Sequence, residues 1–333
     1  MKKIIVFGAT GNLGAYTSVH LKELGYDVHA VGSRASDNGF FESKGMHYYS
    51  IDITNKESFE CLPMDIYGVV HLAGELPSRY NYNPSALVSS ITIGTLNVLE
   101  YMVKAGSKKI VFPQTPFDQS QYHNTPHEIK ADEPKSFPLI GDHSVYTIAK
   151  NAAVDLIDHY AATHDFKRFH LRFFTIYNYH PNPYHYSNFK HQMMPYRMLM
   201  DRAQKSLDIE VWGDATRSKE MVYIKDFMQV IGKCFLSNAP GGMYNVGGKA
   251  VSLEEQIDGI IEVFSPVNNP SRKIYKPEKA DPLLAKFDIS KTEDELGFKQ
   301  QYSYLESLND FKNEMQAEPF ALLWGKKEDF IED

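Results

Sequence analysis

The chain has 333 residues, 43% hydrophobic and 23% charged, close to average globular usage, which excludes collagen-like, coiled-coil and disordered readings. With 42 acidic against 35 basic side chains the formal charge is -7, so neither nucleic acid nor an anionic membrane is an expected partner, since both are bound by excess positive charge. Cys61 and Cys234 are the only cysteines; far apart and without ligand spacing, they give neither a disulfide framework nor a zinc site, and a reducing, cytoplasmic location is expected. Lys2-Lys3 precedes an apolar run that stops at Gly8, too short for a signal peptide, and no segment is read as a membrane span of ~18 apolar residues.

In chain order, Ile4 to Phe7 reads as a buried strand, Asn12 to Leu24 as a helix closed by Gly25, and Val28 to Val31 as a second strand. Further strands are expected at His47 to Ile51, Gly68 to Leu72, Lys109 to Phe112 and Phe169 to Phe173, with long helices at Pro84 to Lys104 and His143 to His164. This alternation predicts a doubly wound parallel α/β sheet covered on both faces. Beyond Tyr177 the pattern turns aromatic, His- and Pro-rich, and reads as a loop from Asn178 to Phe189 followed by a helical segment to about Ser206. Shorter segments follow: Glu210 to Trp212, Met221 to Ile224, a helix from Asp226 to Leu236, and Met243 to Val246. The expected organisation is a dinucleotide-binding unit over 1–175, rejoined by about 222–246, and a smaller substrate-binding lobe over 176–333.

Three signals carry chemistry. Gly8-Ala9-Thr10-Gly11-Asn12-Leu13-Gly14 follows the first strand and opens the first helix, where glycine permits backbone angles closed to other residues and close approach of a pyrophosphate to the helix N-terminus. Tyr146 and Lys150 have i,i+4 spacing and share a helix face, so one ammonium can serve both the phenol and a cofactor ribose. Tyr186/Lys190 and Tyr275/Lys279 match the same spacing, but the first lies in the Pro-rich stretch and Pro277 interrupts the second. Thr115 stands just past the strand Lys109 to Phe112, at a carboxyl end, where a hydroxyl can bond a substrate oxygen or simply serve a turn. His123 and His127 are four apart, but Pro126 lies between them and no acidic or cysteine cluster completes a metal site.

Together these residues resemble the extended short-chain dehydrogenase/reductases, the nucleotide-sugar epimerases, dehydratases and reductases. The resemblance continues through Asp52-Ile53, Leu72-Ala73-Gly74 after His71, Gly94 to Glu100, Gly213-Asp214 and Val222 to Asp226. It implies a Rossmann-type domain with a small C-terminal substrate lobe, and a homodimer formed through the two long helices. It also implies hydride transfer between a sugar carbon and a nicotinamide, with Tyr146 moving the hydroxyl proton, Lys150 stabilising the phenolate and Thr115 orienting the oxygen.

Departures narrow the activity. The dehydratases' Asp-Glu pair after the threonine is Pro116-Phe117 here, which argues against elimination of water. The family's asparagine before Gly94 is Ile91. The arginine that contacts the nucleotide diphosphate falls on Lys219, with Arg217 as second candidate. His191 sits where one branch of the family places an acid/base for epimerisation, although a surface or substrate-hydroxyl-binding histidine fits the position better. After the second strand the chain reads Ser33-Arg34 without a carboxylate, so NADP is expected over NAD. A redox epimerase is therefore expected, with a 4-keto-sugar reductase, an NADP-sensing binding protein and a dehydrogenase of apolar substrates as alternatives. Tyr146 and Lys150 speak against the second, Lys219 and Arg217 against the third.

Overall fold

β-Branched and aromatic runs form seven strands of one parallel sheet: β1 (Lys3–Phe7), β2 (Asp27–Gly32), β3 (His47–Ser50), β4 (Gly68–His71), β5 (Lys109–Gln114), β6 (Lys167–Phe173) and β7 (Gly242–Val246). Their order is β7-β6-β5-β4-β1-β2-β3, with register pairs such as Ile5↔His29 and Ile5↔Val69 on either side of β1. This is the doubly wound arrangement expected, with its switch point beside β1, where ligands of such sheets collect. The computed structural model describes residues 1–77, 82–141, 143–187 and 190–330.

Both faces of the sheet are buried, which is why its strands read as continuous apolar runs. Ile4, Val6, Val28 and Val111 point into one core with α1 (Asn12–Glu23). Ile5, Phe7, Val69 and Phe112 point into the other, against α2 (Gly94–Lys104) and α3 (Ser144–Thr163). The first core continues through α4 (Pro195–Gln204), α5 (Ile224–Leu236), α6 (Leu253–Phe264) and α7 (Tyr304–Ala317), so the smaller lobe shares a hydrophobic interior with the sheet. Capping boxes Ser252/Glu255 and Ser303/Glu306 start α6 and α7 by satisfying orphan backbone donors.

Two expected elements differ. The helix expected over Pro84 to Lys104 is Pro84–Leu87, then a π-helical segment Val88–Ile93, then α2. An 18-residue window of this stretch has a mean hydropathy of 1.4, enough by length and composition to cross a membrane, contrary to the expectation that none would; half of that window is buried in the protein, through residues such as Ile91, Val98 and Met102. The stretch expected as a loop contains Tyr184–Ser187 paired antiparallel with Lys190–Met193; its Phe189, like 331–333 of the expected lobe, lies outside the described residues.

Candidate active site

The glycine turn is a cradle in which Gly8 and Gly14 each have a steric reason. Gly8 has φ +82°, and a Cβ there would lie 2.7 Å from Ala73 N; at Gly14 it would lie 2.0 Å from Gly8 O. Such contacts forbid any side chain. Gly11 caps α1 without a side-chain acceptor, and the first turn holds no acidic residue. The N-terminal donors of α1 thus face the end of the sheet without a protein counter-charge, the arrangement that receives a phosphate. Asn12, at the helix start, exchanges hydrogen bonds with the Asn178 side chain.

The walls of the groove come from the next strand ends. Leu72 N donates to Phe7 O at 2.9 Å. Gly74 takes φ +151° and approaches Ile91 so closely that a Cβ would stand 3.0 Å from Ile91 Cγ1. Asp52 is exposed and accepts from Thr54 N and its hydroxyl, while Ile53 is buried against Gly94 and holds Asn97 Nδ2 on its carbonyl at 2.8 Å. His71 is buried with Nε2 3.0 Å from Thr95 Oγ1. Burial, then the nearby Lys150 charge, drives its pKa down to about 3, so it is neutral.

At the end of β5 the structure brings Lys150 and Tyr146 together. Pro113, which cannot donate within a central ladder, lies beyond the last β4 pair Val70↔Val111 and keeps only its β6 neighbour Leu171. Its carbonyl accepts from Lys150 Nζ at 2.9 Å. The same ammonium lies 4.4 Å from the Phe112 ring centroid and 5.9 Å from that of Tyr146. No carboxylate pairs with Lys150 among the described residues, and burial pushes its pKa down to about 7. Burial pushes the Tyr146 phenol well above its usual range. Thr115 follows directly, with its hydroxyl accepting from Phe117 N at 3.2 Å as cap of the turn Pro116–Tyr122.

A buried network that sequence reasoning missed braces this end. Gln114 Oε1 accepts from Thr115 N at 2.8 Å, while its Nε2 donates to Asn151 Oδ1 at 2.9 Å and to Asp118 Oδ2 at 3.2 Å. Asp118 is ion-paired with Arg172 at 2.8 Å, and Arg172 also reaches Asn245 Oδ1 and Ala131 O. Burial raises the Asp118 pKa against the pull of Arg172. Only the succession of polar residues Gln114, Asp118 and Asn151 on the flanks of the expected site hinted at it.

Other expected residues lie apart. Arg217 is committed to Asp281 at 2.8 Å and to Asn124 at 2.7 Å, which leaves Lys219, half-buried and without an ion pair among the described residues, as the more available cation of the two. Asn124 ties this lobe back to the turn after β5, since its backbone N–H donates to Leu284 O at 2.7 Å. His191 is exposed on the hairpin and stacks on Tyr184 at 5.0 Å; among the described residues no hydrogen bond or ring contact joins it to Tyr146, Lys150 or Thr115. Ser33 and Arg34 are both exposed, and Arg34 Nη1 donates to the Leu323 carbonyl at 2.9 Å, which leaves its other donors for a phosphate. His123 and His127 diverge, the first against Phe117 and Phe174, the second on Glu133.

The signature of the NAD dependent epimerase/dehydratase family matches residues 4–247, which spans the cradle, Thr115, Tyr146, Lys150 and β7. The chain belongs to this family. It is thereby one of the short-chain dehydrogenase/reductase enzymes. Among its relatives, the UDP-glucuronate 4-epimerase of Thermodesulfobacterium geofontis is 28% identical over 279 residues, covering 81% of this chain and 80% of that protein. The UDP-N-acetylglucosamine 4-epimerase of Bacillus cereus superposes with a TM-score of 0.74 at 20% identity, covering 95% of this chain and 97% of the other. The UDP-glucuronic acid 4-epimerase of Bacillus cereus, solved in complex with NAD, gives 0.71 at 19% identity, with 94% and 97% covered. These superpositions carry the fold of the family member described here, including its small lobe.

Proposed function

We propose that the protein is an NAD-dependent epimerase of a UDP-linked sugar, acting by transient oxidation of a sugar hydroxyl. The observation that carries this reading is the buried, carboxylate-free Lys150 beside the Tyr146 ring at the end of β5, opposite a glycine cradle built for a pyrophosphate. The names of the relatives support the sugar class, and the NAD complex of a structural neighbour supports NAD over NADP.

The cradle residues Gly8, Gly11, Asn12, Leu13 and Gly14 would hold the pyrophosphate, with Asp52, Ile53, Leu72, Ala73 and Gly74 lining the rest of the groove. A bound nicotinamide would supply the hydride acceptor and, once reduced, the donor. Tyr146 takes the hydroxyl proton as the hydride leaves the same carbon, giving a keto sugar, and returns it after the carbonyl presents its other face. A phenol pushed up by burial is a poor base alone, so the Lys150 charge has to bring it down. Thr115, whose hydroxyl already accepts from Phe117 N, retains a donor for the sugar oxygen. Lys219 would pair with the diphosphate. Epimerisation at the oxidised carbon needs no second base, so this reading gives His191 no catalytic part.

Exposed Val88, Ile93, Val103 and Ile148 on the two long helices support a homodimer through that face, tested by light scattering on the eluting protein. The activity is tested by offering UDP-, GDP- and dTDP-hexoses and hexuronates without added reductant. A C4 epimer of a UDP-sugar, with no net change in NADH absorbance, is expected. A 4-keto-sugar that consumes reduced cofactor one for one, with no epimer from any sugar, would replace this reading with a reductase.

A further inference from the structure

Gln114, the last residue of β5, is buried, and its side-chain amide holds both halves of the site at once. On one side its Oε1 accepts from Thr115 N at 2.8 Å. On the other its Nε2 donates at 2.9 Å to Oδ1 of Asn151, which follows Lys150 directly on α3. The orientation of both amides follows from their partners. Thr115 N only donates, and the Asp118 carboxylate, paired with Arg172, only accepts, so Gln114 turns its oxygen to the first and its nitrogen to the second, at 3.2 Å. Asn151 must then present its oxygen to Gln114, and its Nδ2 is left buried without a hydrogen-bond partner among the described residues. Such a donor is a cost to the fold that a leucine at this position would not carry.

Strand and helix are therefore stitched at two consecutive positions: Pro113 O takes Lys150 Nζ at 2.9 Å, and Gln114 takes Asn151. The two stitches differ in what they can do during the reaction. Lys150 has a flexible stem, and in the proposed reaction its remaining donors go to the Tyr146 phenolate and a ribose, so its bond to Pro113 does not fix the helix by itself. Gln114 and Asn151 are too deeply buried to meet sugar or cofactor, and their bond is free of the chemistry.

We propose that Gln114 and Asn151 are positioning residues: their amide clamp sets the spacing between Thr115 at the end of β5 and Tyr146 and Lys150 on α3, so that threonine hydroxyl, phenol and ammonium are aligned on one sugar oxygen. The proposal rests on the redox reading of this site and adds the device that aligns it. With the clamp loosened, Tyr146 moves with the helix while the Lys150 ammonium stays tethered to the strand at Pro113 O. The phenol then sits farther from both the sugar oxygen and the charge that stabilises its ionised form. A misplacement on the order of 1 Å can cost about 10²-fold in rate.

Asn151→Leu, close in size and without the acceptor, tests this in steady-state epimerisation of the UDP-sugar that the wild type accepts, followed from pH 6 to 10. Its kcat is expected to fall by about tenfold to a hundredfold, with KM and the NAD dissociation constant within about twofold of the wild type. The rising limb of kcat should move up by about one pH unit, because a phenol farther from the ammonium gives up its proton less readily. The titratable groups that meet Lys150, Tyr146 on its own helix and His71 on β4, are unaltered in this variant. Val263→Ala, a truncation of a buried side chain in α6, controls for lost stability and should move neither kcat nor the limb. A folded Asn151→Leu with wild-type kcat and limb overturns the proposal, as does an equal loss in Val263→Ala. If Asn151→Leu does not fold, Asn151→Ser, whose shorter side chain withdraws from Gln114, decides by the same two readings. A wild type that epimerises no UDP-sugar overturns the reading of the site and this proposal with it, whereas an active wild type beside an indifferent Asn151→Leu overturns this proposal alone.

Discussion

Lys150 and Arg172 are both buried, 7% and 2% exposed, and both reach the carboxyl end of β5, yet they are treated in opposite ways. Arg172 has its own carboxylate in Asp118, plus Asn245 and Ala131 O for its remaining donors. Lys150 has one carbonyl and two aromatic rings. Gln114 and Asn151 bridge the two environments. A buried cation with a full set of partners is structure, because its charge is already neutralised. One left without a counter-ion is held at a cost to the fold, which makes sense where the charge has another use, in the proposed function the Tyr146 phenolate and a cofactor ribose.

The comparison breaks most visibly at Tyr146. Tyr146→Phe removes the group that Lys150 is poised to charge, and turnover should fall by about 10²–10⁴ or more while NAD affinity stays unchanged; retained turnover in steady-state assays would remove Tyr146 from the chemistry. Lys150→Met should lose activity on a similar scale and weaken NAD, but gain stability. The folded pKa near 7 lies below the ordinary 10.5, so between those values the unfolded chain binds more protons and wild-type stability rises with pH. The variant should therefore melt above the wild type by most at and below about pH 7, with the gap closing towards pH 10.5, as read by melting curves at pH 6, 8 and 10.

Asp118→Asn converts Arg172 into the uncompensated state that Lys150 occupies. With no role waiting for that charge, the loss should be plain destabilisation of about 3–5 kcal/mol, measured by denaturant unfolding. A loss below ~1 kcal/mol would mean that Gln114 and Asn245 satisfy Arg172 unaided.

The smallest expected effect concerns a buried acid. Glu220 accepts from Phe287 N at 2.8 Å, and its other oxygen has no hydrogen-bond partner among the described residues. Burial raises its pKa to about 8, so it is protonated in the folded protein where the unfolded chain has already released the proton. Wild-type stability should fall as pH rises from about 4.5 to 8, and Glu220→Gln should raise the melting temperature by a few degrees at pH 8 and hardly at all at pH 4.5. An equal shift at both pH values would show that Glu220 is ionised in the folded state.

Local features with a fixed spacing are legible in the sequence. Gly8, Gly11 and Gly14 follow a strand and open a helix, Tyr146 and Lys150 are one helical turn apart, and the seven-stranded sheet follows from apolar runs that alternate with helices. What escaped is non-local or hidden by composition. The bond from Arg34 to Leu323 could not be read, because its acceptor is a backbone carbonyl 289 positions away. The bond from Trp324 Nε1 to Thr10 O leaves no trace in spacing. Pairing of Tyr184–Ser187 with Lys190–Met193 was masked by the Pro and His residues around it, and the π-helical turn at Val88–Ile93 has the same periodic residues as the helix it interrupts.

In the proposed reaction the sugar is oxidised and restored by one hydride within one site, with Tyr146 moving the proton. A UDP-hexose or UDP-hexuronate deuterated at C4, incubated with the protein and NAD in ordinary water and followed by NMR, tests it directly. A C4 epimer that keeps its deuterium at C4 is expected, with no build-up of NADH, and no epimer from Tyr146→Phe. Loss of the label to solvent, or accumulation of NADH in step with a keto sugar, would contradict it.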